Sequence, residues 1–451
     1  MAEPYALGIA AAARQIREKQ LSPVALAQSL LSRIDRLEPA LQAWVTIDRE
    51  EVLGAAQERE AGLDGGSLGP LHGVPIGLKD IFYTAGMKTS ACSRIFADFV
   101  PSYDATVVSR LKAAGAIILG KAVTTEFASS DPSPTRNPWN PAHTPGGSSS
   151  GSSVAVATGM CAGALGSQTG GSTCRPAAYN GIVGLKPTYG RISKYGVVPL
   201  SWSLDTVGIL VRRVEDAAIM LQALSGHDPL DPGSSTEPTP DFLAQMAQHT
   251  GPPHIGLIKD YFFQHSVPEV QRHTEEVAQK LAQAGAVIEE VTLPESFATA
   301  HSCQRLVSNV EAAAFHQEWY RDRADEYGPK IRSNIEMGLL VSGVDYLQAQ
   351  RLRRQLRNDL AEMVQPVDAV LMPTTPAPAP QDLTTTGDAV FQAPWTSGGL
   401  PTITIPSGLA GSGLPLGVQL AGLPFAEGKL LGVARWCEET LRVDLWPPDY
   451  V

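Results

Sequence analysis

Thr144-Pro145-Gly146-Gly147-Ser148-Ser149-Ser150-Gly151-Ser152-Ser153 opens a Gly/Ser loop, Val154 to Gly166 continues in small apolar residues, and Ser167-Gln168-Thr169-Gly170-Gly171-Ser172 closes a second such loop. The composition would suit a flexible linker, yet the segment lies between helical and strand patterns in an apolar chain, where linkers do not belong. Glycines here instead let a backbone approach a ligand closely. The intervening stretch reads as a small-residue helix. A Gly-Gly-Ser turn exposes successive backbone N–H groups that can converge on an oxyanion developing at a carbonyl under attack. Ser172, at the end of that turn, is the candidate nucleophile.

Working outward, helical periodicity over Asp104–Ala114, a break at Gly115 and an apolar run over Ala116–Leu119 give the order helix, glycine, strand. The order recurs at Val267–Ala284, Gly285 and Ala286–Val291, and helix then strand again at Asp345–Met363 and Asp368–Met372. This rhythm predicts an α/β fold with a mixed sheet covered by helices. Toward the N-terminus, Ser22-Pro23 reads as an N-cap and first helical residue, with Leu26, Leu30, Ile34 and Leu37 as the apolar stripe. A helical layer over about 1–65 is expected, then a core over about 66–225 and a helix-strand portion over about 250–451. The Pro-rich stretch Asp228–Pro240 reads as an excursion within one domain spanning 1–451.

The 451 residues are 43% hydrophobic and 18% charged, which excludes a disordered chain and allows a large core. Acidic side chains outnumber basic ones, for a net charge of −11, and no Lys/Arg run is present, so direct nucleic-acid binding is disfavoured. Five scattered cysteines without a Cys-x-x-Cys pair fit a reduced, cytoplasmic protein without structural zinc. The N-terminus lacks the flanks of a signal peptide, and no apolar run reaches the roughly 20 residues of a membrane span.

A serine nucleophile needs a base. None of the nine histidines stands in a recognisable triad setting. Lys79 follows the apolar segment Val74-Pro75-Ile76-Gly77-Leu78, so burial could strip its charge and make the neutral amine a base. Ser148 could then pass a proton between Lys79 and Ser172. The blocks Gly69-Pro70-Leu71-His72-Gly73-Val74-Pro75-Ile76-Gly77-Leu78-Lys79-Asp80, Gly146-Gly147-Ser148-Ser149, Thr169-Gly170-Gly171-Ser172 and Gly184-Leu185-Lys186-Pro187-Thr188 resemble the amidase signature family, in the family's order and with its spacing between the two serines. Gly399 to Pro406 is similar to its C-terminal strand segment.

The resemblance implies Lys79 as general base, Ser148 as a relay serine following a cis peptide bond, Ser172 as the acyl-enzyme nucleophile, and the 169–172 turn as oxyanion hole, without cofactor or metal. The expected reaction is cleavage of small or aryl amides, with carbamates and esters as further candidates, by a cytoplasmic monomer or homodimer whose partner is its small-molecule substrate. Two departures stand out. Gln168 replaces the family's usual Asp, and the arginine that follows the nucleophile falls one place late, at Arg175, which is a candidate for binding substrate or for holding nearby carbonyls. Cys174, between them, reads as a buried packing thiol. Trp395 and Phe391 are candidate pocket walls, Trp395 as a substrate contact. Two alternatives remain: a glutaminase subunit of a tRNA-dependent amidotransferase, which shares the family, and an α/β-hydrolase using Ser149 within Gly147-Ser148-Ser149-Ser150-Gly151, against which stands the proline-broken loop before it.

Overall fold

The computed structural model describes residues 3–66 and 68–448. One sheet of eleven strands organises them: β1 (Trp44–Thr46), β2 (Pro75–Lys79), β3 (Ile117–Ala122), β4 (Gly163–Gln168), β5 (Val183–Lys186), β6 (Thr206–Val211), β7 (His254–Leu257), β8 (Val287–Glu290), β9 (Ala369–Pro373), β10 (Thr402–Leu409) and β11 (Pro415–Ala421). Their spatial order is β1-β3-β2-β4-β6-β5-β10-β11-β9-β7-β8. The sheet is mixed. β2 runs parallel to both β3 and β4, and β7 parallel to β8 and β9, while the other pairings are antiparallel. Because β5 pairs directly with β10, the two halves of the chain share one sheet and the excursion at 228–240 does not divide it.

Several elements follow from local sequence. Ser22 caps the helix Pro23–Leu41 by accepting the Ala25 amide at 3.2 Å, with proline at the first helical position where no N–H is needed. Gly115 and Gly285 both adopt positive φ, 89° and 109°, between a helix and the strand that follows it. The helices Thr106–Ala113, Pro268–Gln283 and Gly343–Val364 and the strands β3, β8 and β9 stand where periodicity put them.

Two expectations need correction. The N-terminal layer is not purely helical, because Trp44–Thr46 pairs with β3 as the sheet's edge strand. And Val154 to Gly166 is not one helix: the helix Ser150–Ala157 ends, Gly159 turns at φ 70°, and β4 begins at Gly163. Small residues serve both elements, since β4 lies between two strands and the helix packs on it. Such a run carries no periodicity that separates helix from strand.

The central strands bring chain ends together. β2 and β4 are parallel neighbours with Leu78 beside Leu165, so the residues after each strand, Asp80 and Thr169, emerge at the same edge of the sheet. Ligands of open α/β sheets bind at such carboxyl ends. β6 crosses beneath the loop after Ser172, and a Cβ built on its Gly208 would run into the Thr173 side chain. Gly208→Ala is expected to cost about 1–3 kcal/mol by overpacking, read as a lowered melting temperature, together with a loss of any activity that depends on the 169–172 turn.

Candidate active site

Lys79 is the last residue of β2 and is completely buried, as are Ile76 and Leu78 before it. Its Nζ donates to Ser148 Oγ at 2.7 Å and to Ser167 Oγ at 2.8 Å. No carboxylate lies within ion-pair distance of it among the described residues. Burial pulls its pKa down to about 7, with the charges of Asp205 and Cys92 acting in the opposite sense. The neighbouring strand's Lys121, equally buried, differs by having Asp80 at 3.7 Å.

The Gly147–Ser148 peptide bond is cis. Ser148 is fully buried, and its carbonyl accepts the Thr125 amide at 3.2 Å. Among the described residues no hydrogen bond links Ser148 Oγ to Ser172, so the first contact of the expected relay is formed and the second is open. Ser149 is also fully buried. Its hydroxyl bonds to the carbonyl and amide of Ser167, at 3.4 and 3.2 Å, and no strand precedes it directly. An exposed nucleophile elbow at Ser149 is therefore excluded.

Ser172 lines a cavity of about 350 Å³ together with Thr169, Gly170 and Gly171. The turn is oriented through its carbonyls. Thr169 O accepts from Gln304 Nε2 at 3.0 Å, Gly170 O from Thr396 Oγ1 at 2.8 Å, and Gly171 O from the Arg175 amide at 3.0 Å. The amides of residues 169–172 have no protein acceptor among the described residues, which leaves them available to a ligand. Asp205, overlooked in the sequence, accepts the Thr169 hydroxyl at 2.5 Å and the amides of Leu200 and Ser201, both at 2.9 Å. Burial raises its pKa to about 6 against these hydrogen bonds.

Gln168 does the work of an acceptor. Its Oε1 takes the amides of Thr173 and Cys174 at 3.0 and 3.1 Å, at the start of the helix Cys174–Asn180, and its Nε2 donates to Thr396 Oγ1 at 3.1 Å. An Asp could accept the same amides but could not donate to Thr396. Arg175 lines the cavity, yet its guanidinium donates to Gly387 O at 2.9 Å, Gly147 O at 2.6 Å and Thr386 Oγ1 at 3.1 Å. It thereby holds the carbonyl of the cis peptide. Cys174 is buried, with its thiol pushed up to about 11 by desolvation, as a packing residue would be.

Trp395 must be reassigned. It is fully buried, stacks with Phe262 at 6.5 Å between ring centroids, and does not line the cavity; Phe391 is buried in the same apolar cluster. These aromatics are core. The cavity wall is instead polar, with Gln304, Arg305, Ser308 and Asn309 from one helix, Ala300–Arg323, and Lys330 and Asn334 from the next, Pro329–Leu340.

The sequence profile of the amidase family matches residues 25–431. The chain belongs to the amidase signature family. It is an enzyme of amide C–N bonds. The glutamyl-tRNA(Gln) amidotransferase A-subunit of Geobacter metallireducens is 37% identical over 94% of this chain and 95% of its own, and that of Carboxydothermus hydrogenoformans is 38% identical over 97% and 98%. Among solved structures, the peptide amidase of Stenotrophomonas maltophilia superposes with a TM-score of 0.87 at 31% identity, over 99% of both chains. A complex described as revealing the evolutionary origins of an s-triazine catabolic enzyme gives a TM-score of 0.90 at 29% identity, over 96% of this chain and 98% of that one.

Removing the acceptor at residue 168 leaves two buried amides unpaired. Gln168→Ala is expected to lower stability by about 2 kcal/mol, measured by denaturant unfolding, whereas Gln168→Glu, which keeps an acceptor, loses less.

Proposed function

We propose that the chain hydrolyses amides through an acyl-enzyme on Ser172, with Lys79 as general base and Ser148 as proton relay. The observation that carries this reading is the buried, counter-ion-free amine of Lys79 at 2.7 Å from Ser148 Oγ. In the proposed cycle the Ser172 hydroxyl turns toward Ser148, closing a contact that tightens once substrate is bound. Its proton passes through Ser148 to the neutral Lys79 amine as Ser172 Oγ bonds to the substrate carbonyl carbon. The carbonyl oxygen becomes an oxyanion facing the free amides of the 169–172 turn. The C–N bond then breaks, and the same proton returns through Ser148 to the leaving nitrogen. Water attacks the ester by the same route, its proton restoring Ser172 as the acid is released.

A glutaminase subunit of a tRNA-dependent amidotransferase is the second reading, favoured by the names of the relatives at 37–38% identity. It rests on the same chemistry and differs in substrate and partners. Against it, the cavity wall has no Asp or Glu to receive the ammonium of glutamine. Purified alone, a hydrolase should turn over simple amides faster than glutamine. Faster release of ammonia from glutamine, or stable co-purification with further subunits, would make the second reading the first.

Ser172→Ala and Lys79→Ala should each lower kcat by at least about 10²–10⁴-fold, and Ser172→Ala should abolish acylation seen by intact-protein mass spectrometry. A base works when neutral, so kcat/KM should climb with pH through a midpoint of about 7, where Lys79 loses its proton, and level off above it. A midpoint near 10, that of an ordinary lysine, would remove Lys79 from the role.

A further inference from the structure

We infer that the chain carries a second ligand site, for a phosphate group, in a cavity of about 240 Å³ against the helix Gly343–Val364. Arg353, Arg354 and Arg357 of that helix line it, with Ser397 from the end of the helix Ala393–Gly398 and Tyr189 beside them. It shares no lining residue with the cavity that holds Ser172, so the inference stands apart from the amide chemistry proposed above.

The helix carries Arg351-Leu352-Arg353-Arg354-Gln355-Leu356-Arg357, four arginines within two turns, in a chain whose net charge is −11. Arg357 has Arg353 and Arg354 at i−4 and i−3, the spacings at which like charges on a helix repel. No Asp or Glu stands three or four residues from Arg354 or Arg357 on either side, since Asp359 and Glu362 fall outside that spacing. Among the described residues neither side chain has a hydrogen-bond or ion-pair partner. Cations set side by side in this way draw an anion into the space between them.

Arg353 plays a different part, because it builds the wall. Its Nε donates to Ser397 O at 3.2 Å, Nη1 to Ser203 Oγ at 3.0 Å and Gln350 Oε1 at 2.9 Å, and Nη2 to Ser203 O at 3.0 Å. The charge of Glu311 acts on Arg353, but Glu311 is buried outside the lining and accepts the hydroxyls of Ser201, Ser203 and Tyr346 at 2.6, 2.6 and 2.7 Å. The lining itself includes no Asp or Glu. Arg354, exposed, and Arg357, half-buried, therefore remain for a ligand.

Ser397 is an independent mark of the same site. The residue is 3% exposed, it lines the cavity, and its hydroxyl has no hydrogen-bond partner among the described residues. Buried hydroxyls are seldom left so, and a phosphate oxygen would accept this one. The carbonyls of Ser397 and Gly399, which would oppose an anion, are already taken by Arg353 Nε and by the Tyr189 amide at 3.1 Å. Two unpaired guanidiniums match a dianion better than the single charge of a carboxylate, and the planar fork of arginine fits phosphate oxygens. The cavity's size suits a phosphate bearing at most a small substituent.

The test is titration calorimetry on the full chain at about pH 8, where a phosphomonoester is a dianion, with inorganic phosphate, glycerol phosphate and acetate in turn. Inorganic phosphate should saturate one site per chain with a Kd of about 1 mM or tighter, weakened at least about tenfold in Arg354→Gln and in Arg357→Gln and about threefold in Ser397→Ala. Arg351→Gln, on the same helix but outside the lining, should bind as the wild type does. Tighter binding of glycerol phosphate would identify a phosphomonoester as the ligand and weaker binding the free ion, and either result upholds the site. No saturable binding of either phosphate, an affinity unchanged in both arginine variants, or acetate bound as tightly as phosphate would overturn the inference. Arg354 and Arg357 are not buried, so the melting temperatures of their variants should match the wild type. None of these outcomes bears on the acyl-enzyme reading.

Discussion

An amine buried without a counter-ion sets the terms for everything around it. An isolated ammonium cannot be carried into an apolar interior at acceptable cost, so the group sheds its proton instead. Lys79 is held where this applies: the end of a strand covered on both edges, with two hydroxyls as its hydrogen-bonding partners. Lys121, one strand away, shows the contrast. Asp80 lies at 3.7 Å, and the Lys121 ammonium donates to the Phe82 carbonyl and the Thr89 hydroxyl. Burial lowers both amines, Lys79 to about 7 and Lys121 to about 8, and the two buried lysines on adjacent strands differ in that Lys121 has a carboxylate within ion-pair distance among the described residues.

The 169–172 turn is built by the opposite strategy, in which nothing within the turn orients it. Each carbonyl from Thr169 to Gly171 is held by a group arriving from another part of the chain or from the following helix: Gln304, Thr396 and the Arg175 amide. Gln168 ties two of these together, since its acceptor oxygen starts the helix and its amide nitrogen reaches the same Thr396 hydroxyl that holds Gly170. The same four residues, Thr169 to Ser172, line the cavity. Asp205 completes the frame from β6's leading edge, joining the turn to the loop at Leu200 and Ser201. Its negative charge also acts on Lys79, so the buried amine and the 169–172 turn share one carboxylate.

Much of this was legible in the linear chain because it is local. Helical periods closed by Gly115 and Gly285 marked where strands β3 and β8 begin, Ser22-Pro23 marked a helix start, and the Gly/Ser loops marked where backbone would be exposed. The motif spacing around Lys79, Ser148 and Ser172 pointed to one site, and the amine's contact with Ser148 agrees with that. Trp395 misled because an aromatic near a motif reads the same whether it faces a ligand or the core, and only packing against Phe262 and Phe391 separates the two. The edge strand Trp44–Thr46 escaped notice because three residues give no period to detect.

What the sequence alone determined, then, is the α/β alternation, the family and the identity of the candidate reacting groups, all of which depend on residue type and short-range order. Folding decided which groups surround them. Ser167 and Asp205 become partners of the site, Arg175 becomes a clamp on backbone carbonyls, and Arg305 and Lys330, far downstream, line the cavity. The physical reason is that charge, desolvation and hydrogen-bond direction are set by neighbours in space, and a mixed sheet of eleven strands draws those neighbours from positions scattered along the whole chain.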